Sequence, residues 1–251
     1  MSRPDAARIS ELRDRIERIG SVGTRTRSIL PFHIPEIDGH LPKGGLAIGA
    51  LHEVAGGANG AVDGAAASLF AAGIAARTGG RVLWCFSQPD LFMPALAQAG
   101  LREDRVVFFE ARDDDTILGG CEEALRHGGL TAVVGEVAKL SRVSSQRLQL
   151  AAETTGTMAI ALRRWKRPVD ARDSGNPTAA YTRWRVTEMN SHPLPVQGVG
   201  PGRWFLELMR CRGGDCAEFE VEACNGEGLI HLSSDVADRS AAPGRWQRAA
   251  S

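Results

Sequence analysis

The sequence predicts an α/β fold: a doubly wound, mostly parallel sheet flanked by helices, with a C-terminal antiparallel extension of the sheet and an N-terminal helical arm. Three observations support it. Short continuous apolar runs bounded by glycine or proline, such as Arg81–Ser87 (RVLWCFS) and Leu130–Glu136 (LTAVVGE), have the composition of strands buried on both faces. Segments of helical length separate these runs, and that alternation favours parallel strands joined by crossover helices. Beyond residue 180 the strand-like stretches follow one another with no helix between, which suits antiparallel pairing.

Residues 6–19 (AARISELRDRIERI) place Ile9, Leu12, Ile16 and Ile19 on one narrow stripe of a helix, which Gly20 and Gly23 then break. The stripe either folds back on its own core or docks on another subunit. The stretch 29–54 is rich in proline and glycine and ends in a strand-like segment, Ala50–Val54. A glycine-rich loop, Ala55–Gly64, and an alanine-rich helix over 65–77 follow. Next come the strand Arg81–Ser87, a helix over Asp90–Ala99, the strand Arg105–Glu110 and a helix over 115–127 that ends at Gly128-Gly129. The strand Leu130–Glu136, a helix over 144–154 and the strand Thr157–Leu162 complete the alternation. Residues 163–180 interrupt it, basic at first (RRWKRPVDAR) and then turn-rich (DSGNPTAA). Tyr181–Val186, Arg203–Arg210 and Glu218–Ala223 read as strands, the last two forming a hairpin around Gly213-Gly214. The chain thus divides into an arm and linker (1–28), a core (29–232) and a polar tail (233–251), the tail expected to be mobile.

Composition narrows the function classes. Thirty basic residues balance thirty acidic ones, so no global field favours nucleic acid. A hydrophobic fraction of 43% belongs to a globular chain rather than a disordered one. No apolar run is long enough to span a membrane, and the first residues lack the apolar core of a signal peptide, so a cytoplasmic protein is expected. The five cysteines form no C-x-x-C pair, as expected of reduced thiols. A zinc site from Cys211, Cys216, Cys224 and a histidine would match no usual spacing, and no metal is expected.

A strand, a glycine-rich loop and a helix are the setting of a phosphate-binding loop, in which backbone N–H groups, a lysine and a Ser/Thr hold nucleotide and magnesium. The loop contains Gly56, Gly57, Asn59 and Gly60. Counted from Gly56, the pattern puts Ala61, Val62 and Asp63 where Gly, Lys and Ser/Thr belong. No other register helps, because the only lysines are Lys43, Lys139 and Lys166. Losing that lysine removes charge-assisted hydrogen bonds of roughly 1.5–3 kcal/mol each. Asp63 is placed to act as the helix N-cap, where its carboxylate would occupy the terminus that otherwise attracts phosphate. No nucleotide cofactor is expected. The competing reading is a weak ATPase in which Arg77 or Arg81 supplies the missing cation.

The order of these features resembles RecA recombinases. Leu41-Pro42-Lys43-Gly44-Gly45, Leu51–Gly56, the loop and the helix are similar to the segment leading through that family's ATP site. Phe86–Leu101 resembles the segment after its second core strand, with Gln88 where the catalytic glutamate stands. Leu130–Glu136 resembles the Walker B strand, with Gly135 at the magnesium-associated aspartate and Glu136 one residue late. Ser174-Gly175-Asn176-Pro177 and Tyr181–Val186 resemble the second DNA-binding loop and the strand after it. Arg210-Cys211-Arg212 falls where a basic pair reaches a neighbour's nucleotide, and Phe219–Gly228 resembles the last core strand and its turn. The likeness spans about residues 30–232 and implies a RecA-like fold.

Three catalytic features missing from one such frame point to a narrower relative. Leu30–Val54 (LPFHIPEIDGHLPKGGLAIGALHEV), Arg183-Trp184-Arg185 and Leu206–Gly214 (LELMRCRGG) resemble the ImuA family. That resemblance implies a non-enzymatic accessory protein of the SOS-induced translesion mutasome. Its partners would be ImuB, an inactive Y-family-like polymerase, RecA and, indirectly, an error-prone replicative-type polymerase. A SulA-type cell-division inhibitor shares the frame without the ATP site and is the alternative.

Two basic surfaces complete the candidates. Arg163, Arg164, Trp165, Lys166, Arg167 and Arg172 combine five cations with one aromatic, a composition that can track a phosphate backbone and stack on a base. A solvated loop is the competing explanation. Weak, sequence-independent DNA contact follows from the first reading. Arg210 and Arg212 alternate along a strand and so share one face, where they either contact another RecA-like subunit or guard an edge strand.

Overall fold

The computed structural model describes residues 28–165, 176–193, 198 and 200–233. The N-terminal stripe (Ile9, Leu12, Ile16, Ile19), the cations Lys166, Arg167 and Arg172, and the tail from residue 234 lie outside them.

Two short strands, β1 (Ile29–Leu30) and β2 (Leu46–Ala47), pair antiparallel and enclose a single helical turn, α1 (Pro35–Asp38). Asp38 fixes this segment by accepting the backbone N–H groups of Phe32 at 2.7 Å and Ile34 at 3.2 Å. The alternation follows: β3 (Leu51–Gly56), α2 (Ala61–Arg77), β4 (Val82–Phe86), α3 (Met93–Gln98), β5 (Val106–Glu110), α4 (Asp114–His127), β6 (Ala132–Val137), α5 (Arg142–Thr155) and β7 (Met158–Arg163). The chain closes with β8 (Thr182–Met189), β9 (Arg203–Cys211), β10 (Ala217–Glu222) and β11 (His231–Leu232).

Nine strands form one sheet in the order β11-β10-β9-β8-β3-β7-β6-β4-β5. The six strands from β8 to β5 run parallel, and β9, β10 and β11 add antiparallel. The parallel strands β3, β6 and β7 are buried along their whole length, which is why they read as unbroken apolar runs. One face of the sheet packs on α2, α3 and the β1–β2 segment, the other on α4 and α5.

The proline- and glycine-rich opening stretch packs against α2 and β8. The Phe32 ring stacks on Phe70 of α2 at 6.0 Å and meets Trp184 of β8 edge-on at 5.7 Å. Burying such rings contributes about 1.5–3 kcal/mol each. Covered on two sides, α2 needs apolar residues nearly all round, which explains its alanine-rich sequence.

Three local expectations are corrected. α2 starts at Ala61, not at residue 65, because Gly60 at φ 57° makes the break and Gly64 is absorbed into the helix. α3 begins at Met93, where Pro94 suits the first turn, so Asp90 stays in the preceding loop. β9 lies between β8 and β10, so Arg210 does not guard an edge; the edges are β11 and β5.

Candidate functional site at the carboxyl ends of the strands

In parallel sheets, ligand sites form beyond the carboxyl ends of the strands. Here β3, β4, β6 and β7 deliver the loop 57–60, Gln88, Glu136 and Arg164 to that end. At the loop and around Glu136 the protein's own groups hydrogen-bond to one another.

The loop after β3 is pinned to β8 by the Gly57 N–H, which donates to the Val186 carbonyl at 2.9 Å. Asp63 is fully buried. Its Oδ2 accepts the Asn59 N–H at 2.8 Å and its Oδ1 accepts the Glu188 N–H at 2.9 Å. Gly60 is the N-cap residue, so Asp63 is third in the helix rather than its cap. The carboxylate nevertheless serves the loop as an internal anion. It also closes the space around Gly57, where a β-carbon would collide with Asp63 Oδ2 and the Thr187 hydroxyl. Val62, at the lysine position, is 52% exposed and offers no charge. Arg77 sits at the far end of α2, about 24 Å along the axis from Ala61 at 1.5 Å per residue. Its guanidinium lies over the Phe32 ring at 5.4 Å. Arg81 stands just before the amino end of β4, so neither arginine supplies a cation to the loop.

At the ends of β4 and β6, Arg164 is clamped between two carboxylates. Its guanidinium donates to Glu136 Oε2 at 2.8 Å and to both oxygens of Asp90, at 2.8 and 2.7 Å. Trp84 Nε1 donates to the other Glu136 oxygen at 2.7 Å. Burial pushes the Glu136 carboxyl above its ordinary range, against the pull of Arg164 and Trp84. The Arg164 hydrogen bond holds Asp90 below the usual carboxylate range. Ser87, Gln88, Asp114, Glu136, Ala138, Arg164 and Trp165 line a cavity of about 50 Å³. A cavity of that size admits a few waters. Gly135 is set by packing: a β-carbon there would lie 2.7 Å from Cys121 Sγ of α4.

The basic run does not form one surface. Arg163 ends β7 inside the protein, its side chain 0% exposed, and donates to Glu53 Oε1 at 2.6 Å and to the Ala138 carbonyl at 2.8 Å. Glu53 Oε2 also accepts Thr178 Oγ1 at 2.8 Å and Arg183 Nε at 3.0 Å. Arg163 is therefore corrected from a DNA-facing cation to an internal ion-pair cation, because the buried Glu53 takes it up, whereas Arg164 stays partly exposed between the buried Glu136 and the exposed Asp90. Trp165 is half-buried, and its indole N–H has no hydrogen-bond partner among the described residues. Arg210 and Arg212 both turn toward the segment 178–181: Arg210 donates to the Thr178 carbonyl at 2.7 Å, and Arg212 lies over the Tyr181 ring at 5.3 Å. Both are exposed. Only Arg210 is in the strand, since Arg212 follows it in the turn.

Glu53, Asp90, Thr178 and Arg183 escaped sequence reasoning. One signal was present: a glutamate inside an apolar strand (LHEVA) must find a buried cation. Among the described residues no group of three or more His, Cys, Asp or Glu could hold a metal ion, and no helix is long and apolar enough to cross a membrane.

Comparison with known proteins adds relatives to this geometry. No family model matches the chain. It is 38% identical over 234 residues to Protein ImuA of Caulobacter vibrioides strain NA1000, covering 88% of this chain and 95% of that protein. Protein ImuA of a second strain of that organism, ATCC 19089, gives the same figures. Among solved structures, the RadB recombinase superposes with a TM-score of 0.57 at 15% identity, over 82% of this chain and 100% of its own. That likeness establishes a RecA-like fold.

Proposed function

The chain belongs to the ImuA family, and from that premise we propose that it is a non-catalytic, RecA-like accessory protein of SOS-induced, error-prone translesion DNA synthesis. It works by protein contacts. Its direct partner is an ImuB-type inactive polymerase, with RecA as a second partner and an error-prone replicative-type polymerase engaged indirectly. Asp63 is the observation that supports the non-catalytic reading: the phosphate loop contains its own buried anion, held by two backbone N–H groups. A second anion at the same helix terminus would be repelled.

Arg210 and Arg212 are the exposed cations offered to another RecA-like subunit. The stripe Ile9, Leu12, Ile16 and Ile19 is a second docking element. Lys166, Arg167 and Arg172 supply a weak, non-specific DNA contact. Affinity capture of the full chain against an ImuB-type protein, RecA and the division protein FtsZ tests this reading. Retention of the first two without FtsZ is expected. Retention of FtsZ alone would favour a SulA-type inhibitor instead.

A further inference from the structure

α5 carries apolar groups on two faces. Its inner face, with Ser145, Leu148, Gln149, Ala151 and Ala152, is buried against β3, β7 and α4. Val143 and Leu150 lie outside that face and are 65% and 64% exposed. They are seven residues apart, so they stand about 10.5 Å from each other along nearly one line of the helix surface. The neighbouring α4 shows the ordinary arrangement: its exposed residues are Asp115, Thr116, Gly119, Glu123, Arg126 and His127, none of them a large apolar group.

The chain itself supplies a matching element. The sequence predicts a helix over residues 6–19, equal in length to the 14 residues of α5, or about 21 Å. Along its stripe Ile9 and Ile16 are seven residues apart, and so are Leu12 and Ile19. Both helices thus present apolar groups at the same two-turn spacing.

The described chain starts beside α5. The Ile48 N–H donates to the Ser28 carbonyl at 2.9 Å, which holds Ser28 next to the turn between β2 and β3. In that turn Gly49 touches the C-terminal end of α5: a β-carbon there would lie 3.1 Å from Gly156 Cα and 3.3 Å from the Ala152 carbonyl oxygen. Ser28 is one strand spacing and one residue step from Gly49, and so within roughly 15 Å of the end of α5. The linker over residues 20–27 reaches at most about 28 Å. A linker that short favours Ile19 beside the last turns of α5, with the arm running parallel to it. The opposite direction would stretch the linker along the whole of α5 before the arm begins.

We propose that residues 6–19 form a helix seated on the outer face of α5 in their own chain, with Ile16 on Leu150 and Ile9 on Val143. This rests on the stripe acting as a docking element, and a partner then engages the stripe only by lifting it from α5.

Limited trypsin digestion of the full chain reads the seat at Arg13, Arg15 and Arg18. Cleavage there should be about tenfold faster in Val143→Glu and Leu150→Glu than in the unmodified chain. Urea midpoints should be unchanged, since both side chains lie outside the buried face. Copper-catalysed oxidation of an Ile16→Cys, Leu150→Cys variant should cross-link within one chain at every protein concentration. Ile9→Cys with Leu150→Cys should not cross-link, because those positions are about 10 Å out of step along the helices. Equal cleavage in the unmodified and glutamate variants, a cross-link joining two chains, or a cross-link from Ile9 as ready as that from Ile16 overturns the proposal. Failure to retain an ImuB-type protein or RecA while the arm stays protected would sink the functional reading alone and leave the seat on α5 standing.

Discussion

Arg163 and Glu53 form an ion pair at 2.6 Å with both side chains out of solvent, joining the end of β7 to the middle of β3. Glu53 sits one step from Arg183 and Thr178 as well, so a single carboxylate ties β3, β7, β8 and the segment before β8 together. Removing one member of a buried pair leaves the other charge without compensation. Arg163→Ala should therefore cost about 3–5 kcal/mol of stability by urea denaturation. Arg163→Met combined with Glu53→Leu should recover only part of that loss, because Arg183 then loses the same carboxylate.

Asp63→Ala should destabilise the protein by about 1–3 kcal/mol, since it strands the N–H groups of Asn59 and Glu188. Asp63→Asn keeps one acceptor oxygen and should cost less. The comparison is read from denaturation midpoints at unchanged m-value.

Stability should fall on mild acidification through His52. This ring is fully buried, and burial lowers its pKa from 6.5 to about 4. Nε2–H donates to the Ala47 carbonyl at 2.9 Å, so Nδ1 accepts from Thr182 Oγ1 at 2.8 Å, whose oxygen in turn accepts Trp184 Nε1 at 2.9 Å. The neutral ring satisfies the chain, and a proton on Nδ1 would break it. The unfolded chain therefore takes up the proton first as pH falls. Stability is fully present above pH 6.5 and declines toward pH 4 by about 3 kcal/mol, at 1.36 kcal/mol per unit. Chemical denaturation across that range should show the slope, and His52→Gln should flatten it.

Any DNA binding should depend on Lys166, Arg167 and Arg172 and not on Arg163. Replacing the three by alanine should lower affinity for single-stranded DNA and reduce the salt slope by about 2, at roughly 0.7 per phosphate contact. Arg163→Met should leave the salt slope unchanged in whatever fraction remains folded. Fluorescence anisotropy at several salt concentrations measures both.

The fold was legible because strands buried on both faces must be apolar throughout, and α2, covered on two sides, must be small and apolar all round. The loop's departure from the phosphate-binding pattern is legible at Val62 and Asp63 in the sequence. The carboxylate partners were not, because Glu53 lies 110 residues from Arg163 and 130 from Arg183, and only the β3–β7 and β3–β8 pairings bring them together. The charge run at 163–172 read as surface because its residue types are usually exposed. β7 extends one residue past the predicted Leu162, and that residue carries Arg163 inside. The sequence suggests Asp63 as the helix N-cap, but its carboxylate instead accepts the Asn59 and Glu188 N–H groups from the first turn, because Gly60 rather than Gly64 makes the break.

The Asp63 carboxylate stands in the loop where a phosphate group would sit. Calorimetric titration of the full chain with ATP and magnesium tests it most directly. No binding tighter than about millimolar is predicted, which corresponds to some 4 kcal/mol. A clear micromolar isotherm would contradict it.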